Sequence, residues 1–173
     1  MSPFEAQVLP HLDAAYRFAR WLAPAPGDAD DIVQDAILRA FRGFDGLRGT
    51  NVRPWLLAIV RNCHATALKR QMRGSDPLPD DEDQQAMISP IPDPETAAMH
   101  RDAELAMDRL LRELPREHRE VLVLREIEEL DYREIAAVIQ APIGTVMSRL
   151  ARARSSLRAR WSKQIEEQIH GLR

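Results

Sequence analysis

DYREIAAVIQAPIGTVMSRLARARSSLRAR, residues 131–160, reads as two helices joined by a tight turn. Asp131 followed three residues later by Glu134 is the pattern of a capping box. Ile135, Ala136, Val138 and Ile139 then give the short helix an apolar face. Gln140 and Ala141 interrupt it, and Pro142 suits the first turn of a second helix, where a missing N–H costs nothing. In that second helix Val146, Leu150, Ala153 and Leu157 recur at spacings of four and three, the stripe of a helix packed on one side. Thr145, Ser148, Arg149, Arg152, Arg154, Arg158 and Arg160 occupy the other faces, with no Asp or Glu from residue 142 to 163. A solvated face normally mixes both signs of charge. A scaffold helix, a turn and a longer basic helix predict a helix-turn-helix whose second helix enters a major groove.

Charge is distributed along the chain in blocks. The formal net charge is −3 and the pI about 6.0, values that do not announce a nucleic-acid binder. Residues 36–73 nevertheless hold eight Lys and Arg against Asp45 alone, and residues 142–163 hold six against none. Residues 75–99 carry seven acids and no base, so the total cancels what the segments contain. Cys63 is the single cysteine, which excludes an intramolecular disulfide and fits a reducing compartment. The five histidines never fall at metal-ligand spacing, and neither metal nor organic cofactor is expected. No apolar run approaches the roughly 20 residues that span a bilayer, and the start, SPFEAQ, lacks a basic n-region. Membrane insertion is therefore not expected, and a cytoplasmic location is.

Taken in order, the chain predicts an all-α protein. Ser2, Pro3 and Glu5 look like a cap, a first-turn proline and a capping-box partner. Pro10 interrupts that helix, and Leu12, Ala15, Tyr16, Ala19 and Leu22 continue its apolar face. Asp28 is expected to cap the next helix, in which Ile32, Val33, Ala36, Ile37, Ala40 and Phe41 form the inward stripe. The glycines of GFDGLRGTNVR, residues 43–53, predict a loop. From Pro54 a long helix is expected to bury Trp55, Leu56, Ile59, Val60, Cys63 and Ala67, leaving Arg61, Asn62, His64, Lys69 and Arg70 on other faces.

Residues 74–94, with five prolines and a run of acids, lack the apolar content to hold a fold and predict a linker. Asp93 and Pro94 then cap and open a helix bearing Ala97, Leu105, Met107, Leu110, Leu111 and Leu114. Pro115 opens another, with Val121, Leu122 and Leu124 inward. The division expected is two small helical domains, residues 1–73 and 95–173, joined by an acidic tether at residues 74–94.

EIAAVIQAPIGTVMSRLARARSSLR, residues 134–158, resembles the promoter-reading helix-turn-helix of extracytoplasmic-function (ECF, group four) sigma factors of the sigma-70 family. Pro142, Gly144, Thr145, Val146, Ser148, Arg149, Leu150, Arg152, Ala153 and Arg154 all match the family's pattern. Three positions depart: Gln140 stands where glycine is common, Met147 where a base is common, and Ala151 where some members carry an aromatic. LPREHREVLVLREIEELDYREIA, residues 114–136, is similar to the helices that brace this motif. ADDIVQDAILRAFR, residues 29–42, resembles the stretch that grips the coiled coil of the largest polymerase subunits.

The resemblance implies a sigma factor: a subunit that binds core RNA polymerase through its beta-prime and beta subunits, directs it to promoter DNA, and performs no covalent chemistry. It assigns core binding to Asp31, Gln34, Asp35, Arg39 and Arg42, a set that by itself reads by default as a solvent-facing helix side. It assigns minus-thirty-five contacts to Thr145, Met147, Ser148, Arg149, Arg152 and Arg154. Minus-ten recognition falls to Arg48, Thr50, Asn51, Arg53, Arg61, Asn62, Lys69 and Arg70. There a flipped base needs a pocket and the released strand needs cations. The same resemblance implies that the acidic linker threads the polymerase cleft, although any soluble tether would show that composition, and it implies an anti-sigma partner. A stand-alone helix-turn-helix regulator explains only the second half of the chain. An enzyme is not supported, since there is no phosphate loop, no Ser/His/Asp set and no metal cluster in the sequence.

Overall fold

The computed structural model describes residues 1–47, 49, 51–74 and 94–171, the side chains of Pro26 and of residues 94–100 excepted. Among the described residues every regular element is helical, as the periodicity predicts. Helix α1 (Pro3–Val8) starts at the Ser2/Glu5 capping box, with Ser2 N–H donating to Glu5 at 2.7 Å and Glu5 N–H donating to Ser2 Oγ at 3.2 Å. A short 3-10 turn (Leu9–His11) at Pro10 leads into α2 (Leu12–Leu22). Helix α3 (Pro26–Gly43), a turn at Phe44–Gly46 and α4 (Val52–Gly74) complete the first half. The second half comprises α5 (Pro94–Glu113), α6 (Arg116–Leu122), a π-helical turn (Val123–Ile127), α7 (Tyr132–Ile139) and α8 (Ile143–Gly171). The acidic linker and the Asp93 cap lie outside the described residues, whereas the tail beyond Trp161 continues as helix.

Helices α2, α3 and α4 pack on one another around Phe18, Val33, Leu56, Leu57 and Val60. In the second half α6 and α7 pack on α8 around Val121, Leu124, Ile135, Val146 and Leu150. The two groups also touch: α4 runs along α7, α2 meets α6 and the π turn, and one apolar core continues from Phe4 to Ala153. Arg112 of α5 adds a contact to α2, its guanidinium lying over the Trp21 ring at 5.3 Å.

Several local expectations change. Helix α3 begins at Pro26 rather than behind Asp28, because proline's fixed φ suits a first turn, so Asp28 sits inside that turn instead of capping it. Phe41 is not inward: it is 64% exposed and its ring meets Phe4 edge-on at 5.2 Å. Leu105 is likewise exposed. Pro142 stands just before α8, its carbonyl accepting the Thr145 N–H at 2.9 Å.

His64 is buried rather than outward, because the α4 face expected to meet solvent is covered by the second half. Burial, with Arg116, Arg119 and Arg61 nearby, lowers its pKa to about 4 from 6.5. The neutral imidazole is thus the form that fits the fold. Its contribution is complete above pH 6.5 and lost as pH falls from there toward 4, on the order of 2 kcal/mol by pH 5. Urea unfolding at pH 7.5 and pH 5.0 should show the parent losing about that much more than His64→Leu; equal losses would contradict the assignment.

Asp131 closes the second capping box as expected, with both bonds to Glu134 at 2.8 Å. At the other end of α7, Gln140 adopts φ 54° and ψ 49°, and the Ala141 N–H reaches back to the Ala136 carbonyl at 3.1 Å. The turn thus keeps the left-handed conformation that favours glycine while carrying a side chain. Gln140→Gly should raise stability by about 0.5 kcal/mol, the relief of left-handed strain exceeding glycine's entropic penalty, and Gln140→Val should lower it by about 1 kcal/mol, read from urea midpoints.

Candidate polymerase and promoter surfaces

Helix α8 keeps part of its basic side open. Val146, Leu150 and Ala153 are buried under α6 and α7, which turns Thr145, Ser148, Arg149 and Arg152 onto one flank of α8 and Met147 and Arg154 onto the other. Met147, Ser148 and Arg152 are exposed. The Ser148 hydroxyl donates to the Thr145 carbonyl at 3.1 Å, and among the described residues Arg152 forms no ion pair. Arg149 leans toward Glu117 at 3.6 Å, and Arg154 is held by Glu126 at 2.8 Å, which with Tyr132 raises its pKa. Arg160 is tied to Glu113 of α5 at 2.7 Å. Among the arginines assigned to the minus-thirty-five set, Arg152 is therefore the one left exposed and without an ion pair.

Asp31, Gln34, Asp35 and Arg42 share one exposed face of α3, with Arg39 at its edge. Leu38, 56% exposed, sits in the middle of that face, and Phe41 flanks it. The sequence reading had not singled out Leu38; the signal available was its position four residues from Gln34 and from Arg42. An apolar centre with a polar border is the composition of a protein-binding patch rather than of a solvated face. Beside it, Asp28, Asp31 and Asp35 border a cleft of about 250 Å³ between α3 and α4, floored by Ile32, Cys63 and His64.

The residues assigned to minus-ten recognition divide into two sets. Arg48 and Thr50 lie outside the described residues, and Gly49 between them has φ 63°. Asn62, Lys69 and Arg70 are exposed on α4. Asn51, Arg53 and Arg61 instead face the second half. Asn51 donates to Glu134 at 3.0 Å and accepts the Arg53 N–H at 3.3 Å. Arg53 Nη2 donates to Glu128 Oε2 at 2.6 Å, and Arg61 Nε donates to Glu120 Oε1. Glu128 has no exposed surface and also accepts two bonds from Arg17 of α2, at 2.9 and 3.1 Å. Neither glutamate was picked out from the sequence, although Glu120, Leu124 and Glu128 recur every four residues along an inward stripe.

Comparison with known proteins accounts for both halves of the chain. Residues 8–74 match the family model for sigma-70 region 2 and residues 104–157 that for sigma-70 region 4. The ECF RNA polymerase sigma factor SigE of Mycolicibacterium smegmatis is 33% identical over 170 residues, spanning 96% of this chain; the chain spans 65% of that relative's length. The ECF RNA polymerase sigma-E factor of Escherichia coli K12 is 33% identical over 140 residues, 76% of this chain and 72% of its own. Among solved structures, the sigma factor RpoE in complex with the anti-sigma factor NepR, from Bartonella quintana, has the same fold. Its TM-score is 0.75 at 24% identity, covering 92% of this chain and 96% of its own. CnrH in complex with the cytosolic domain of CnrY gives a TM-score of 0.64 at 27% identity, over 92% and 88%. With regions 2 and 4 matched in one chain and relatives of this identity spanning most of it, the protein belongs to the ECF RNA polymerase sigma factors of the sigma-70 family.

Proposed function

We propose that this chain binds core RNA polymerase through the α3 face, reads the minus-thirty-five element with α8, and opens the duplex at the minus-ten element with the 43–53 segment and α4. The observation that carries the reading is the coexistence of two outward faces of different chemistry in one polypeptide: Leu38 ringed by polar residues on α3, and Ser148 and Arg152 on α8. The first suits a protein partner and the second a DNA groove. A stand-alone regulator has no use for the first, and it leaves the region 2 match over residues 8–74 without a role.

The finer assignments follow from the same reading. Residues 1–73 form the polymerase-binding and minus-ten module, residues 95–173 the minus-thirty-five module, and residues 74–94 an acidic connection between them. The beta-prime and beta subunits are the partners of the α3 face. The protein works in the cytoplasm and makes or breaks no covalent bond; no described helix is long and apolar enough to cross a membrane. An anti-sigma partner is supported by the fold shared with RpoE and CnrH, each solved in a complex.

Arg152→Ala should cut run-off transcription about tenfold from promoters carrying the preferred upstream element, as loss of a good base contact does, and should leave core polymerase affinity unchanged. Asp31→Arg or Leu38→Asp should do the reverse, weakening polymerase binding while the chain still melts as the parent does. Equal effects of the three substitutions in both assays would contradict the division.

A further inference from the structure

Where the end of α5 and the start of α6 approach α4, arginines outnumber the acids that balance them. Arg116, Arg119 and Arg61 lie near His64, and Arg112 and Arg116 lie near Arg119. Among the described residues two carboxylates face this group: Glu120, bonded to Arg61, and Asp108, bonded to Arg112 at 3.0 Å. Arg116 and Arg119 have no carboxylate within ion-pair distance among the described residues. The acids closest to them in sequence are engaged elsewhere, Glu113 with Arg160 at 2.7 Å and Glu117 with Arg149 at 3.6 Å. Burial, with Arg112 and Arg116 nearby, lowers the Arg119 pKa, yet a guanidinium keeps its charge at neutral pH. Two positive charges are therefore partly buried without counter-charges of their own, which is costly.

Unused donors lie at the same place. Arg119 Nη1 donates to the Arg112 carbonyl at 3.0 Å, but Arg119 Nε is buried with no partner. Both ring nitrogens of His64 are also buried without partners, and in a neutral imidazole one of the two carries a proton to donate. Water satisfies a donor but does not neutralise a guanidinium; an oxyanion does both. We propose that Arg116 and Arg119, with Arg112 beside them, form a binding site for a phosphate group, carried by an inorganic oligophosphate or by a nucleotide. The planar fork of a guanidinium matches phosphate oxygens bidentately, and two forks three residues apart on one helix face address the same group. Arg112 is exposed and Arg116 and Arg119 are partly so, which leaves the site open to a ligand. Arg116 and Arg119 share with Glu120 the side of α6 that meets α4, whereas Glu117 turns toward α8, so the site is distinct from the α8 face offered to DNA. It stands whether or not the chain acts at a promoter.

Isothermal titration calorimetry of the full chain with tripolyphosphate, at an ionic strength held constant with chloride, tests this. The parent should bind one equivalent, and Arg116→Gln/Arg119→Gln should bind about tenfold more weakly, as loss of charge-assisted hydrogen bonds implies. Arg152→Gln/Arg158→Gln removes the same charge from exposed arginines of α8 that have no ion pair among the described residues. It should bind within about twofold of the parent. Arg116→Gln alone keeps the bond from Arg119 to the Arg112 carbonyl and should bind about threefold more weakly, which carries the test if the double variant does not melt as the parent does. In proton NMR spectra the His64 ring resonances should move with the same half-saturation as the heat. ATP is the second ligand: tighter binding than tripolyphosphate assigns the phosphate to a nucleotide, equal or weaker binding assigns it to an inorganic chain, and both support the site. No binding by the parent, or binding by Arg116→Gln and the double variant equal to the parent's, overturns the proposal. Loss of binding in the α8 variant alone also overturns it, since the anion then sits on the helix offered to DNA.

Discussion

One carboxylate, that of Glu128, sits where the first and second halves of the molecule meet, without exposed surface and with three arginine N–H groups directed at it. Burying a charge is costly unless opposite charge and hydrogen bonds compensate, and here both come from the other half, from Arg17 on α2 and Arg53 at the start of α4. The relation of α4 to α7 is therefore governed by polar partners as well as by apolar contact. Removal of those partners would leave Glu128 with water as its best neighbour. An interface whose fixed point is an ion pair can be exchanged for another ionic partner, which an interface of interlocking leucines cannot.

The helices themselves were legible in the sequence because local chemistry decides them. The Ser2/Glu5 and Asp131/Glu134 boxes, the apolar stripe of α8 and the breaks at Pro10 and Pro115 all follow from patterns of four residues or fewer. What could not be read is what a second half of the chain does to a helix face. His64 and Arg61 share a side of α4 that is polar by composition, and nothing local indicates that Arg116, Arg119 and Glu120 of α6 lie against it. Phe41 shows the opposite failure: helical spacing places it near the inward stripe, while the packing of α1 leaves it largely in solvent against Phe4.

The candidate surfaces were legible to a different degree. The α8 set is singled out by the absence of acids across residues 142–163, a long signal. The α3 set is proposed through resemblance, but its apolar centre, Leu38, needed the structure, because a single leucine on a helix is ordinarily packed inward. For Arg53 and Arg61 the sequence does not indicate their acidic partners, since Glu128 and Glu120 lie 75 and 59 residues away. Spacing within a helix carries no information about partners at that separation.

On the proposed reading, the open faces on α3 and α8 are the ones that meet polymerase and upstream DNA. The most direct measurement is the distance between spin labels at Asp45→Cys and Arg133→Cys, exposed positions in the first and second halves, with the buried Cys63 replaced by Ser. Double electron–electron resonance should give one narrow, short distance for the free protein and a longer one when core polymerase is added. A distance unchanged by polymerase that is bound and active in transcription would contradict the account.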